Sequence, residues 1–500
     1  MFTRMAARSD IGVAFFGTII LTCTTQLSAD HFTYRDDAGN TLSVEGVAIG
    51  AKGQWQAIQQ SDGQIVIAHK GAIRKTGPDI RPATGEEVTR QLAEQIGEDR
   101  FRSHYEQPYL VGIVLMAPLT GEDEKRVKHA LGEAVDFMHG VERGFNAFVE
   151  RVKLETTEPE YPLVMLIFES ERDFEEYAAK ISGNAGLSAG ILSGFYSGRT
   201  NRLYVRMSEC LSFEVPLHEA IHQQVYNRGL FNRLAPIPSW FNEGIATAFE
   251  AERGRISTGP FRVHSKYVWR AQSAGGFSWA EVVENDRAFH GDIFAATAYT
   301  HAWCMHWLLV NKHTGAYADY VRLLGEKPTM GRSTQEERNS DFQQTFGKSI
   351  EAMQMEFPRA ITAAIKRRGI RFPKAREPGY MKTESHLAQI ELYQNRKTLR
   401  RSGRIEFTGK LKNISPIRAM SFYIALYRAD GSYTDWYIEE LGSRKRLALR
   451  SQKIEKQLPR SLGGRKRTTY LYVRSAIPGS AAANRWKEGN LPIPGTRAGG

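Results

Sequence analysis

The stretch PLHEAIHQQVYNRGLFNRLAPIPSWFNEGIATAFE, Pro216 to Glu250, gathers residue types that bind a metal ion and move a proton. His218 and His222 are four apart, with Glu219 next to the first. On a helix, residues four apart share a face at about 6 Å along the axis, so both imidazoles can aim a nitrogen at one ion. Zinc takes nitrogen at about 2.0–2.1 Å in roughly tetrahedral geometry, which this spacing can supply. Glu219 is rotated toward the rim of the same site, where it can hold a water instead of the metal; this is the pattern H-E-x-x-H. Taken by itself, the pattern also fits a helix that happens to carry two histidines. Glu243 changes the weighing. It lies 21 positions after His222, Pro236 and Pro238 stop the loop between them, and Ser239 can cap a new helix. That helix places Glu243 in its first turn, able to complete two nitrogens and one oxygen and to leave the fourth position open.

The elements that must position these residues follow from periodicity. Positions 30–78 alternate in short runs broken by Gly and Asp-Gly turns, which predicts a small β-barrel-like domain or sheet of about five strands. Positions 79–107 read as a linker and one helix, EEVTRQLAEQIG. In 108–375 the strand YLVGIVLMAP precedes a long amphipathic helix from about Asp123 to Val152, then the strand YPLVMLIFES. A helix ERDFEEYAAKI, a hairpin turned at SGRTNR, the histidine helix Leu217 to Tyr226 and several later helices complete the region. Strands first and helices afterwards predict an α+β fold. Positions 385–475 alternate again and predict a β-sandwich. The tail 476–500, rich in Gly, Ala and Pro, is expected to be disordered.

HEAIH followed by WFNEGIATAFE resembles the gluzincin class of zinc metallopeptidases, the second piece being close to the W-x-N-E-G-x-A-x-x-x-E helix of aminopeptidase-N-like enzymes. The wider layout, with YPLVMLIFES, GFYSGRTNRLYV and TAYTHAWCMHWLLV, resembles a bacterial family of exported metallopeptidase-like proteins of unknown function in the peptidase-MA-like group. The resemblance covers about Tyr109 to Pro358. It implies a zincin-like domain binding one Zn2+ through His218, His222 and Glu243, with Glu219 as general base. It also implies a later Tyr or His as oxyanion donor; Tyr299 occupies the matching region, with His301 the lesser candidate. Glu250, two turns after Glu243, is placed to orient a ligand histidine, or else is an ordinary helix carboxylate. Two features depart from the aminopeptidase pattern. The interval from His222 to Glu243 is two residues longer, and the G-x-M-E-N segment that captures a free amino terminus is replaced by GFYSGRTNRLYV. An endopeptidase is therefore favoured, its peptide substrate lying as an added strand along Asn201 to Met207.

Charge and composition set the surroundings. Of a net +12, Lys366 to Arg474 contributes +18, with 27 Lys and Arg against 9 Asp and Glu, leaving the rest at −6. In an exported protein this basic β-sandwich suits an anionic envelope surface, whether lipid head groups or cell-wall polymers, or acidic proteins, or else is a solvated basic face that aids solubility; no nucleic-acid module is recognisable. Export is expected from Arg4 and Arg8, the apolar run Ile11 to Leu21 and small residues ending at Ala29, the plan of a cleaved signal peptide over 1–29. The run is short for a membrane anchor. Beyond the signal only Cys210 and Cys304 remain, able to pair or to stay buried thiols, and neither has metal-site spacing. The expected function is an exported, periplasmic or secreted, zinc metallopeptidase. The alternatives are a non-catalytic envelope-binding protein on a zincin fold, or a hydrolase of non-peptide amides in cell-wall material.

Overall fold

The computed structural model describes residues 27–35, 41–70, 73–182, 193–250, 256, 259–273, 278–284, 286–289, 295–370, 380–394, 407–427, 432–450, 456–457 and 470–489. Most of the expected export signal, and the basic runs RKTLRRSGR and GGRKR, lie outside them. Among the described residues no helix is long and apolar enough to cross a membrane. The fold is mixed α+β, with twelve helices and four sheets among those residues.

The first five strands, β1 (Leu27–Arg35), β2 (Thr41–Lys52), β3 (Trp55–Gln59), β4 (Ile65–His69) and β5 (Ile73–Ile80), form an antiparallel sheet in the order β4-β3-β2-β1-β5. β4 and β5 are its edges, so among the described residues these strands pair as an open sheet, one of the two forms the alternation allowed. The expected cleavage point after Ala29 falls inside β1. The Asp62-Gly63 turn reads as a hairpin because Gly63 adopts φ 80°, a left-handed conformation that costs glycine little.

The central sheet runs β6-β7-β8-β10-β9. After α1 (Gly85–Ile96) come β6 (Phe101–Glu106) and β7 (Tyr109–Val114), then α2 (Gly121–Val152), β8 (Leu163–Phe168), α3 (Glu171–Ser182), β9 (Gly194–Ser197) and β10 (Arg202–Arg206). β7, β8 and β10 are parallel neighbours, while β6 and β9 pair antiparallel at the edges. β7 and β8 are buried along their whole length because helices cover both faces, which explains their unbroken apolar runs. Leu110, Val114, Val164, Leu166 and Phe168 pack with α1 and α3. Val111, Ile113, Met165, Ile167 and Val205 pack instead with α2 and the helices beyond.

Two expectations are corrected here. The stretch 79–107 holds more than a linker and a helix: β6 is an edge strand of this sheet. β10 is interior, so among the described residues the edge on its side of the sheet is β9 and not Asn201 to Met207. Arg233 ties the β9–β10 turn to the N-terminal sheet; it donates to Gly63 O at 2.5 Å, to Gln59 Oε1 at 3.0 Å and to Gly198 O at 3.4 Å.

Helices α4 (Glu214–Asn227), α5 (Ser239–Phe249), α6 (Ser265–Ser273), α7 (Trp279–Glu284), α8 (Ala295–Lys312), α9 (Thr314–Gly325), α10 (Gln335–Phe346) and α11 (Ile350–Arg368) follow. α8 is buried nearly all round, consistent with its lack of a polar face.

The remaining strands are β11 (Tyr380–Ser385), β12 (Ala388–Gln394), β13 (Phe407–Asn413), β14 (Met420–Tyr427), β15 (Ser432–Leu441), β16 (Arg446–Arg450), β17 (Lys456–Gln457) and β18 (Tyr470–Ala476). They make two four-stranded antiparallel sheets, β11-β12-β13-β16 and β17-β15-β14-β18, which share one apolar core. The expected disorder from 476 is corrected in part: α12 (Ala481–Lys487) packs Ala483 and Trp486 on the tyrosines of β14. Burial of that tryptophan offsets the ordering entropy that the composition alone would leave uncompensated. Arg418 docks this unit on the central sheet by gripping the buried Glu169 at the end of β8.

Candidate metal centre

α4 and α5 bring the predicted trio together. His218 Nε2 lies 3.1 Å from Glu243 Oε2 and 3.3 Å from His222 Nε2, and His222 Nε2 lies 3.6 Å from Glu243 Oε2. A tetrahedral ion with bonds near 2.05 Å requires donors about 3.3 Å apart, so these three lone-pair atoms are spaced as zinc ligands are. They form a group of metal-ligating residues within 4.8 Å of one another, two of them buried. The donor set fits zinc: two imidazoles and a carboxylate, with one coordination position unfilled by protein.

The local sequence explains how α5 presents Glu243. Ser239, expected as the cap, is itself the first helical residue, and its amide donates to Asp286 Oδ1 at 2.8 Å. Glu243 accordingly sits just past the first turn. Gly244 lets α5 approach α8, since a Cβ there would stand 2.3 Å from the His306 ring. The Glu243 Oε1 side is held by Asn242, which donates at 3.4 Å, and Asn242 in turn accepts from the Tyr226 hydroxyl at 3.0 Å.

Glu219 stands beside the trio, and its Oε2 accepts from the Tyr196 amide on edge strand β9 at 2.9 Å. The Tyr196 ring stacks on Tyr226 with centroids 5.8 Å apart, linking the two sides of the site. Burial holds the Glu219 carboxyl above the ordinary carboxylate range, against the opposing pull of His218 and His222. For Glu243 burial also pushes upward, but His222 and His218 outweigh it and keep the carboxylate ionised well below its ordinary value.

Behind His218 lies Glu250, Oε1 3.5 Å from Nδ1. Its other oxygen accepts from Tyr267 at 2.6 Å and Lys266 at 3.0 Å. Burial would raise this carboxyl, yet the contact with His218 and the Lys266 charge bring it down to about 2. A carboxylate so placed is able to orient the His218 imidazole. His222 has no equivalent: its Nδ1 is buried without a hydrogen-bond partner among the described residues.

Tyr299 packs over His218 with ring centroids 6.0 Å apart. Burial first, then the carboxylates of Glu243 and Glu219, hold its phenol well above the usual value, so it remains a proton donor. His301 is buried elsewhere on α8, with Nε2 unpartnered among the described residues. Cys210 and Cys304 are separate free thiols. The sequence reading missed Tyr196, Asn242, Lys266, Tyr267 and Asp286. Of these, Asn242 inside WFNEG and Tyr196 inside GFYSGRTNRLYV lay in stretches already singled out.

A family model described as a protein of unknown function (DUF1570) matches residues 215–330, from the first turn of α4 past α9. Among solved structures the chain is similar to Legionella pneumophila aminopeptidase A in complex with aspartic acid, at 12% identity and a TM-score of 0.26. The match covers 76% of this chain and 35% of that one, so it spans about a third of that protein's length. At that TM-score the likeness adds nothing to the geometry of the site. No curated protein matches.

Proposed function

We propose that this chain is an exported zinc metallopeptidase that cuts within peptide chains. The observation that carries the reading is the convergence of His218, His222 and Glu243 donor atoms at 3.1–3.6 Å, with Glu219 beside them. Zinc, when bound, supplies Lewis acidity that brings the pKa of a water toward about 7. Glu219, kept basic enough by its burial, takes the proton of the attacking water at a carboxylate oxygen and later gives it to the leaving amine. The Tyr196 amide fixes that carboxylate in place. Tyr299 donates its phenolic proton toward the carbonyl oxygen as it gains charge. Glu250 keeps His218 in the tautomer that leaves Nε2 free.

The substrate lies along β9, the free edge, as an added strand. No G-x-M-E-N segment is present to hold a free amino terminus; GFYSGRTNRLYV forms the β9–β10 hairpin in its place. The basic C-terminal region retains the protein on anionic envelope surfaces by a contact that salt weakens. The test is a library of amino-terminally blocked and free peptides incubated with wild type and Glu219→Gln. Internal cleavage of blocked peptides, falling by roughly 100-fold or more in the variant, supports the reading. Release of single residues from free peptides only, or unchanged cleavage by the variant, overturns it.

A further inference from the structure

Where the C-terminal sandwich meets α2, two adjoining hollows share Pro416 and Arg444. The inner one has a volume of about 580 Å3 and mostly apolar walls: Ile113, Met165 and Ile167 from the sheet, Ala134 and Phe137 from α2, and Ile414 from the sandwich. The outer one, about 490 Å3, is walled by Lys125, Arg126, His129, Arg444 and Lys445 together with Ser443.

The nearby acids neutralise only part of this cluster. Glu133 is already bridged by Arg444 and lies 3.5 Å from His129, while Arg126 is shared between Glu122 and Asp123. Asp136 stands on the wall of the inner hollow. Lys125 and Lys445 have no ion pair among the described residues. Lys412, which also lines the inner hollow, has its ammonium held below the ordinary lysine value by burial and then by Arg446 and Arg444. Cations are therefore crowded where an apolar hollow opens.

We propose that the two hollows form one binding site for an anionic amphiphile, its alkyl chain in the inner hollow and its phosphate or carboxylate head against Arg444, Lys445 and Lys412. The inner volume falls within the range of about 300–1,000 Å3 of small-molecule sites. A purely apolar ligand gives no role to the crowded cations, and a bare anion leaves the inner hollow empty. Only a molecule with both ends uses both. The same hollow touches the metal helix: Phe213 and Pro216, just ahead of His218, line it. Phe213 holds φ 58° and stacks on Phe137 with centroids 4.9 Å apart. An alkyl chain lying there rests against the start of α4. The inference does not depend on the proposed peptidase activity.

The test is titration of the full-length protein with dodecyl phosphate, dodecanol and inorganic phosphate, each below any micelle-forming concentration. Saturable one-to-one binding of dodecyl phosphate, at least 10-fold tighter than either of the others, is expected. Ala134→Trp fills the inner hollow and should weaken dodecyl phosphate binding at least 10-fold. Lys445→Glu, an exposed change that leaves the core alone, should weaken it several-fold without affecting dodecanol. Flotation with phosphatidylglycerol vesicles separates the two sources: retention lost in Ala134→Trp points to a membrane lipid, and absent retention to a free amphiphile. Equal affinity for dodecanol, equal affinity for inorganic phosphate, or binding indifferent to both substitutions would overturn the proposal.

Discussion

Replacing Arg418 by methionine should unseat the C-terminal sandwich from the central domain. Arg418 grips Glu169 through two bonds, Nε to Oε1 at 2.7 Å and Nη2 to Oε2 at 3.1 Å, and also donates to the carbonyls of Ala117 and Pro118. The Glu169 side chain is 0% exposed, and among the described residues its one other hydrogen bond is from the Met116 amide at 3.0 Å. Removing one member of such a pair leaves a buried charge and costs about 3–5 kcal/mol. The sign with pH follows from Glu169. Burial already holds its carboxyl above the ordinary value while Arg418 pulls it down, so losing Arg418 raises it further. An acid whose folded pKa lies above its unfolded one loses stability as pH rises between the two, by about 1.4 kcal/mol per pH unit. The deficit of Arg418→Met should thus be larger at pH 8 than at pH 5. Urea unfolding followed by tryptophan fluorescence at the two pH values measures it. The double variant Arg418→Met, Glu169→Leu should regain more than half the loss. A single-variant deficit under about 1 kcal/mol at pH 7, or one that grows on acidification, would refute the reasoning.

Three further outcomes are expected. Glu250→Gln should weaken zinc binding about 10–100-fold, read by chelator competition, because a neutral amide orients His218 less firmly; unchanged affinity would leave Glu250 a packing residue. Gly244→Ala forces a methyl against the His306 ring and should cost about 1–3 kcal/mol in thermal unfolding. Asp286→Asn should cost about 1 kcal/mol at neutral pH through weaker capping of α5. Burial pushes the Asp286 carboxyl upward, but Arg338 and the Ser239 amide more than offset this and hold it below its ordinary value. Its contribution is therefore present above about pH 4 and lost as pH falls through the folded value, so the gap between wild type and variant should close in acid.

What was legible in the sequence depended on how locally each feature is encoded. His218, Glu219 and His222 share one helix, so their common face follows from 3.6-residue periodicity. Glu243 was reachable because prolines and a helix pattern limit where its segment can go. The free edge of the central sheet was not legible: the hairpin is plain in GFYSGRTNRLYV, but which strand faces β8 depends on parallel pairing to a distant segment. β6 was hidden because an edge strand buries little, and in FRSHYE only Phe101 is buried. α12 escaped notice since its small residues look disordered until Trp486 finds the tyrosines of β14. Lys266 and Tyr267 reach Glu250 only across the packing of α6, and no spacing rule announces such a contact.

The most direct test of the central claim is zinc stoichiometry, measured by elemental analysis on folded wild type, His222→Ala and Glu219→Gln after equilibration in buffered zinc. On the proposed reading His222 supplies one of three donor atoms, whereas Glu219, tied to the Tyr196 amide, serves the water. The expected result is one zinc per chain in wild type and in Glu219→Gln, and a large loss in His222→Ala. Equal zinc in wild type and His222→Ala, or zinc lost from Glu219→Gln while His222→Ala keeps it, would contradict the assignment.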